Sequence, residues 1–148
     1  MAFAGDVSQM YHQVVLQSEV RPFHRFLWRH LDPSRQPETY EFQRFIFGGR
    51  GCYCPFCAQY VWQKHARDHK DLYPLAAEAA QKRCYMDDLV PSVKSVEEAK
   101  SMRKQITELG DMARFYVCKW NSHRPEVIED IPDHDRAAEI DLSQRSSQ

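Results

Sequence analysis

The chain lacks any run approaching the roughly 18 apolar residues of a bilayer-spanning helix, and its opening "MAFAGDV" has neither the basic start nor the length of a secretory leader. An intracellular, cytoplasmic protein with no membrane partner is therefore expected. Glycine is scarce, with five in 148 residues, and no internal repeat or low-complexity tract occurs. Collagen-like and fully disordered classes are excluded by that scarcity together with 43% hydrophobic content. An excess of positive charge is also missing: 20 basic residues face 21 acidic ones, for a net charge of -1, so the bulk balance shows none of the basic surplus usual in nucleic-acid binders. The five cysteines are an odd number, which points to free thiols or metal ligands rather than a disulfide framework.

What is present reads as one domain, since a chain of this length buries about 68 to 70% of its unfolded surface and supports one core. "AFAGDV" is a short apolar run ending on an acid, and "SQMYHQVVLQ" follows as a turn or short helix. "PFHRFLWRH" and "TYEFQRFIF" are aromatic, roughly alternating runs separated by the proline-bearing "LDPSRQPE", the pattern of a β-hairpin. Pro55 suits the first turn of a helix reaching about Asp71, on which Phe56, Tyr60 and Gln63 share a face while "KHARDHKD" is solvated. "YPLAAEAAQK" predicts a second helix. A third carries a capping box, Ser95 with Glu98, and Gly110 where a C-terminal cap is expected. "ARFYVCKW" predicts a final strand. The order gives an α+β fold, an antiparallel sheet with helices packed on one face. Beyond about residue 120 the chain turns polar, so 121–148 is expected to be an extension with a disordered end, "SQRSSQ".

"RCYMDDLVPS" sets Asp87 and Asp88 side by side between apolar neighbours. Consecutive strand residues point to opposite faces, so a regular strand would bury one carboxylate, whereas a tight turn between "CYM" and "LVPSV" lets both acids face one cavity. Carboxylates held so close repel unless a cation lies between them, and hard divalent ions such as Mg²⁺ take oxygen ligands of this kind. Asp6, at the end of its own apolar run, is the best third ligand. Three carboxylates converging there could hold two ions about 3.5 to 4 Å apart for phosphoryl transfer. The plainer alternative is a solvated Asp-Asp turn.

These residues resemble a known family. "YMDDL" resembles the active-site hairpin of reverse transcriptases, and "GDVSQMYHQV" their first catalytic motif. "RFLWR", "YEFQRFIFG", "YPLAAEAAQKRCYMDDLVPSV", "KW" followed by "RPEVIEDIP", and "DRAAEI" are similar, in order, to the BEL/Pao group of LTR retrotransposons, over nearly the whole chain. The resemblance implies a palm subdomain over residues 1–120 and RNA-directed DNA polymerase activity. It makes Asp6, Asp87 and Asp88 the ligands of two Mg²⁺ ions, or Mn²⁺ in their place, with the Val7 carbonyl as an additional ligand. It implies that Tyr11 lies under the sugar of the incoming nucleotide, that Gly48 and Gly49 approach the template base, and that Lys119 approaches the triphosphate. The implied partners are an RNA or DNA template-primer and dNTPs. Plainer roles stand beside these: a core tyrosine, an ordinary turn and an exposed strand-end lysine.

Two features depart from the family pattern. "FGGRGCYCPFC" is longer between the glycine and the proline, and neither fingers nor thumb segments occur in the sequence. The isolated chain is therefore expected to be inactive and to associate with itself through exposed apolar surface. A rival reading is an inactive, truncated or domesticated retroelement relic acting through protein contacts. A more remote one is a zinc or redox module built on Cys54 and Cys57, but no second Cys-x-x-Cys supplies the remaining zinc ligands.

Overall fold

The computed structural model describes residues 1–46 and 54–138, without the Cys54 side chain. The regular elements are β1 (Phe3–Val7), α1 (Met10–Gln13), β2 (Arg25–Trp28), β3 (Glu38–Glu41), α2 (Cys54–Asp68), α3 (Pro74–Lys82), β4 (Cys84–Tyr85), β5 (Asp88–Leu89), α4 (Val96–Met112) and β6 (Val117–Ser122). Four strands form an antiparallel sheet in the order β4-β5-β1-β6. The fold is α+β, as expected. Among the described residues no helix is long and apolar enough to cross a membrane.

Helix α4 forms where the sequence signals it. The Ser95 hydroxyl accepts the Glu98 amide at 3.1 Å, an N-cap contact worth about 1 kcal/mol. The Glu98 carboxylate returns to the Lys94 amide at 3.0 Å, one residue further out than the reciprocal bond of a standard capping box. Ala99, Met102, Ile106 and Leu109 make its buried stripe at helical spacing. Gly110 is not the cap. The helix continues to Met112, and Gly110 is small because a Cβ there would meet the Phe115 carbonyl oxygen where the chain turns back toward β6.

Helix α3 contributes four buried alanines, Ala76, Ala77, Ala79 and Ala80, which let it lie close against its neighbours. Pro74 opens it, and two of its orphan amides, of Leu75 and Ala76, are satisfied by the Gln105 side-chain oxygen of α4 at 2.9 and 3.4 Å. In α2 the buried stripe is Ala58, Trp62 and Ala66. The face carrying Phe56 and Tyr60 is exposed, and "KHARDHKD" is not wholly solvated, since it includes the buried Ala66. Trp62 meets the Phe115 ring edge to face with centroids 5.6 Å apart, joining α2 to the chain entering β6.

The hairpin expected from the two aromatic runs exists, but its strands are short and form a separate two-stranded sheet. A 3-10 turn at Arg21–His24 takes the first residues of the run. Past residue 120 the chain is not merely polar: β6 runs on to Ser122, and Val127 and Ile131 enter the core. Arg103 of α4 fixes that returning segment by donating to both oxygens of Asp130 at 2.6 Å.

Candidate functional site

The two-residue link between β4 and β5 is Met86-Asp87, and Met86 takes a positive φ of 56° to close it. Asp87 thus sits in the turn and Asp88 begins β5. Asp88 is the direct cross-strand partner of Asp6, and the Val7 amide donates to the Asp87 carbonyl at 2.8 Å. Acids more than eighty residues apart in sequence are brought together by this register. Directly paired residues of an antiparallel sheet share a face, with Cβ atoms about 5 Å apart. One row therefore crosses all four strands: Tyr85, Asp88, Asp6, Cys118.

The next row, Cys84, Leu89 and Gly5, faces the helices. Opposite Gly5 the pairing of β1 with β6 shifts, because Ala4 faces Asn121 while Asp6 faces Cys118. Two residues, Lys119 and Trp120, thus oppose one. This is a β-bulge. Trp120 lies over Gly5, where any Cβ would stand 2.7 Å from the indole ring. Lys119 takes φ 51°, a left-handed conformation that costs a non-glycine residue about 1–3 kcal/mol. From there its ammonium reaches the Asp6 carboxylate at 3.0 Å. That hydrogen bond, and then the charge of Asp6, hold the Lys119 pKa above its ordinary value.

Three of the positive-φ residues border β1: Lys119 in the bulge opposite Gly5, and Gln9 and Met86 near its Val7 end. Tyr11, on α1 just beyond that end, is 4% exposed and belongs to the core. Burial raises its pKa first and the charges of Asp87 and Asp88 next, so the hydroxyl lies within electrostatic reach of both acids. Val7 is fully buried. Gly48, Gly49 and the longer loop around them fall outside the described residues, as do Cys52 and the "SQRSSQ" tail.

No protein-family model and no curated protein matches this chain.

The site is therefore read on its own chemistry. Among the described residues no three His, Cys, Asp or Glu side chains are gathered closely enough to hold a metal ion. The register thus pairs Asp6 with Asp88 and leaves Asp87 in the adjoining turn, while the Asp6 carboxylate lies against Lys119. The donor set still suits a hard divalent cation: it is all carboxylate, and a cationic group already lies against one member. The two thiols beside the acids, Cys84 and Cys118, suit redox chemistry poorly. Burial, and then the charges of Asp87 and Asp88, push the Cys84 thiol up to about 12, and burial followed by Asp6 raises Cys118.

Sequence reading missed Gly5 and the bulge. The signals were present: a glycine inside an apolar strand marks a bulge or a close approach, and the buried positions Phe115, Val117 and Trp120 break the alternation with a step of three.

Proposed function

We propose that this chain is the palm portion of an RNA-directed DNA polymerase of the reverse-transcriptase type. The observation that carries the reading is the pairing of Asp6 with Asp88 across β1 and β5, with Asp87 in the adjoining turn. Asp6, Asp87, Asp88 and the Val7 carbonyl would hold two Mg²⁺ ions, for which Mn²⁺ can substitute. Bound there, such ions supply activation of a primer 3′-hydroxyl and neutralisation of the departing pyrophosphate. The protein's own contribution is placement. The hairpin turn sets Asp87 beside Asp88, the Val7–Asp87 hydrogen bond fixes the turn against β1, and the bulge aims Lys119 at the same face, where its charge can meet a triphosphate. Tyr11 would bound the site from the core side, its hydroxyl within electrostatic reach of Asp87 and Asp88.

The test is primer extension on an RNA template with Mg²⁺, using this chain alone and joined to fingers and thumb segments of a related polymerase, each with and without Asp87→Asn. Incorporation by the joined protein and its loss in the variant are expected. Equal incorporation by parent and variant would remove the acids from the chemistry, and the absence of incorporation from every protein would withdraw the reading.

A further inference from the structure

The bulge in β6 does more than bend the strand. It inserts one residue, Lys119, and holds it in a backbone conformation that lysine rarely adopts, with its ammonium 3.0 Å from Asp6. The two ends of this contact differ in their surroundings: the Asp6 side chain is 21% exposed, whereas the Lys119 side chain is 67% exposed. The carboxylate is fixed by its strand, and the cation hangs on a flexible, solvated stem free to swing away. Asp6 also faces Asp88, an acid of like charge, directly across the ladder. Without a cation on that face the pairing is repulsive.

Resting on the two-metal reading above, we propose that Lys119 is a tethered counter-ion for Asp6 that stands in for a divalent cation and must leave before metal enters. The ammonium relieves the repulsion between the acids while the metal is absent, and it occupies the Asp6 oxygen that an entering ion would need. A single positive charge offsets only one carboxylate, whereas a divalent ion brings twice the charge and coordinates several oxygens directly. The ion therefore wins the exchange once it engages Asp87 and Asp88 together with Asp6. Lys119 thereby sets the threshold concentration at which the site loads.

The experiment measures Mn²⁺ binding by electron paramagnetic resonance, and thermal midpoints in chelator and in Mn²⁺, on the whole chain and four variants. Lys119→Met is expected to bind Mn²⁺ about two- to fivefold more tightly than the parent, the range an exposed ion pair carries. Lys119→Gly, which removes the charge and relaxes the bulge backbone, should tighten binding equally, separating the cation from the strain. Lys119→Arg should keep the parent's affinity, and Asp6→Asn should weaken binding. In chelator Lys119→Met should melt below the parent, and Mn²⁺ should raise its midpoint further than the parent's. Unchanged or weaker binding by both Lys119→Met and Lys119→Gly, with the parent binding normally, overturns the counter-ion role and leaves the acids as ligands. Absence of Mn²⁺ binding from parent and variants alike overturns both.

Discussion

Gly5 and Asp6 are neighbours in the chain and have opposite fates. Gly5 belongs to the row that continues through Leu89 and Cys84 and lies under the helices, while Asp6 belongs to the row of Tyr85, Asp88 and Cys118 on the other face. In the covered row Leu89 is fully buried, and in the open row Tyr85 is 71% exposed. The difference shows how one short sheet can separate two demands. The covered row supplies cohesion and tolerates no added bulk, whereas the open row carries like charges that cost stability and keep chemistry in reach of solvent. A slip of one residue would exchange the two, so the register that buries Leu89 also presents Asp6 and Asp88.

The largest effect is expected where the covered row is emptied. Leu89→Ala should lower the free energy of unfolding by about 2–5 kcal/mol, measured by urea titration, because a buried side chain is removed from between sheet and helices. A cost below about 1 kcal/mol would show that the sheet is not the floor of the core. Overfilling the same row should come next. Gly5→Ala places a methyl group against the Trp120 ring and should cost about 1–3 kcal/mol, with a change in tryptophan fluorescence as the ring moves. Unaltered fluorescence and stability together would mean that Trp120 does not lie over Gly5.

The open row should respond with the other sign. Asp88→Asn removes one of two like charges directly paired across β1 and β5 and should raise stability by about 0.2–1 kcal/mol in the absence of divalent metal. The same substitution should weaken Mn²⁺ binding. A residue whose loss stabilises the fold while impairing ligand binding is kept for function, so a destabilising Asp88→Asn would return the acid pair to a structural role.

Much of the helical layer over the covered row could be read locally. Ser95 announces the start of α4, and the four alanines of "LAAEAAQ" announce a helix built for close packing. Strand residues were harder, because a bulge reverses the alternation on which the reading depends: Lys119 and Trp120 together take the place of one residue. Gly110 was misread for a related reason. Glycine serves helix ends and close approaches alike, and only the nearness of Phe115, a tertiary fact, decides between them. The acids were legible as types and as a pair of distant segments, but their register was not, because a partner more than eighty residues away leaves no trace in local periodicity. The β2–β3 hairpin was legible as a hairpin and misplaced in the sheet. Its aromatics, Phe26 over Tyr40 with centroids 5.7 Å apart, pair within the hairpin itself, so their alternation reports local stacking and not membership of the central sheet.

The smallest expected effect crosses from one row to the other. Cys84 lies in the covered row, yet its thiol is pushed up from 9.0 to about 12 by burial and, after burial, by the charges of Asp87 and Asp88. Folding thus favours the protonated thiol. Its contribution to stability is complete below pH 9 and is lost as pH rises toward 12, and Cys84→Ala should flatten that part of the stability curve. The acids are the lesser causes, so Asp87→Asn combined with Asp88→Asn should speed alkylation of Cys84 at pH 8 by only about two- to threefold, because the thiolate fraction follows the pKa and burial is untouched. Mass spectrometry of the labelled cysteine measures it. A tenfold acceleration would mean that charge outweighs burial at Cys84, and no acceleration would mean that the two faces are electrostatically independent.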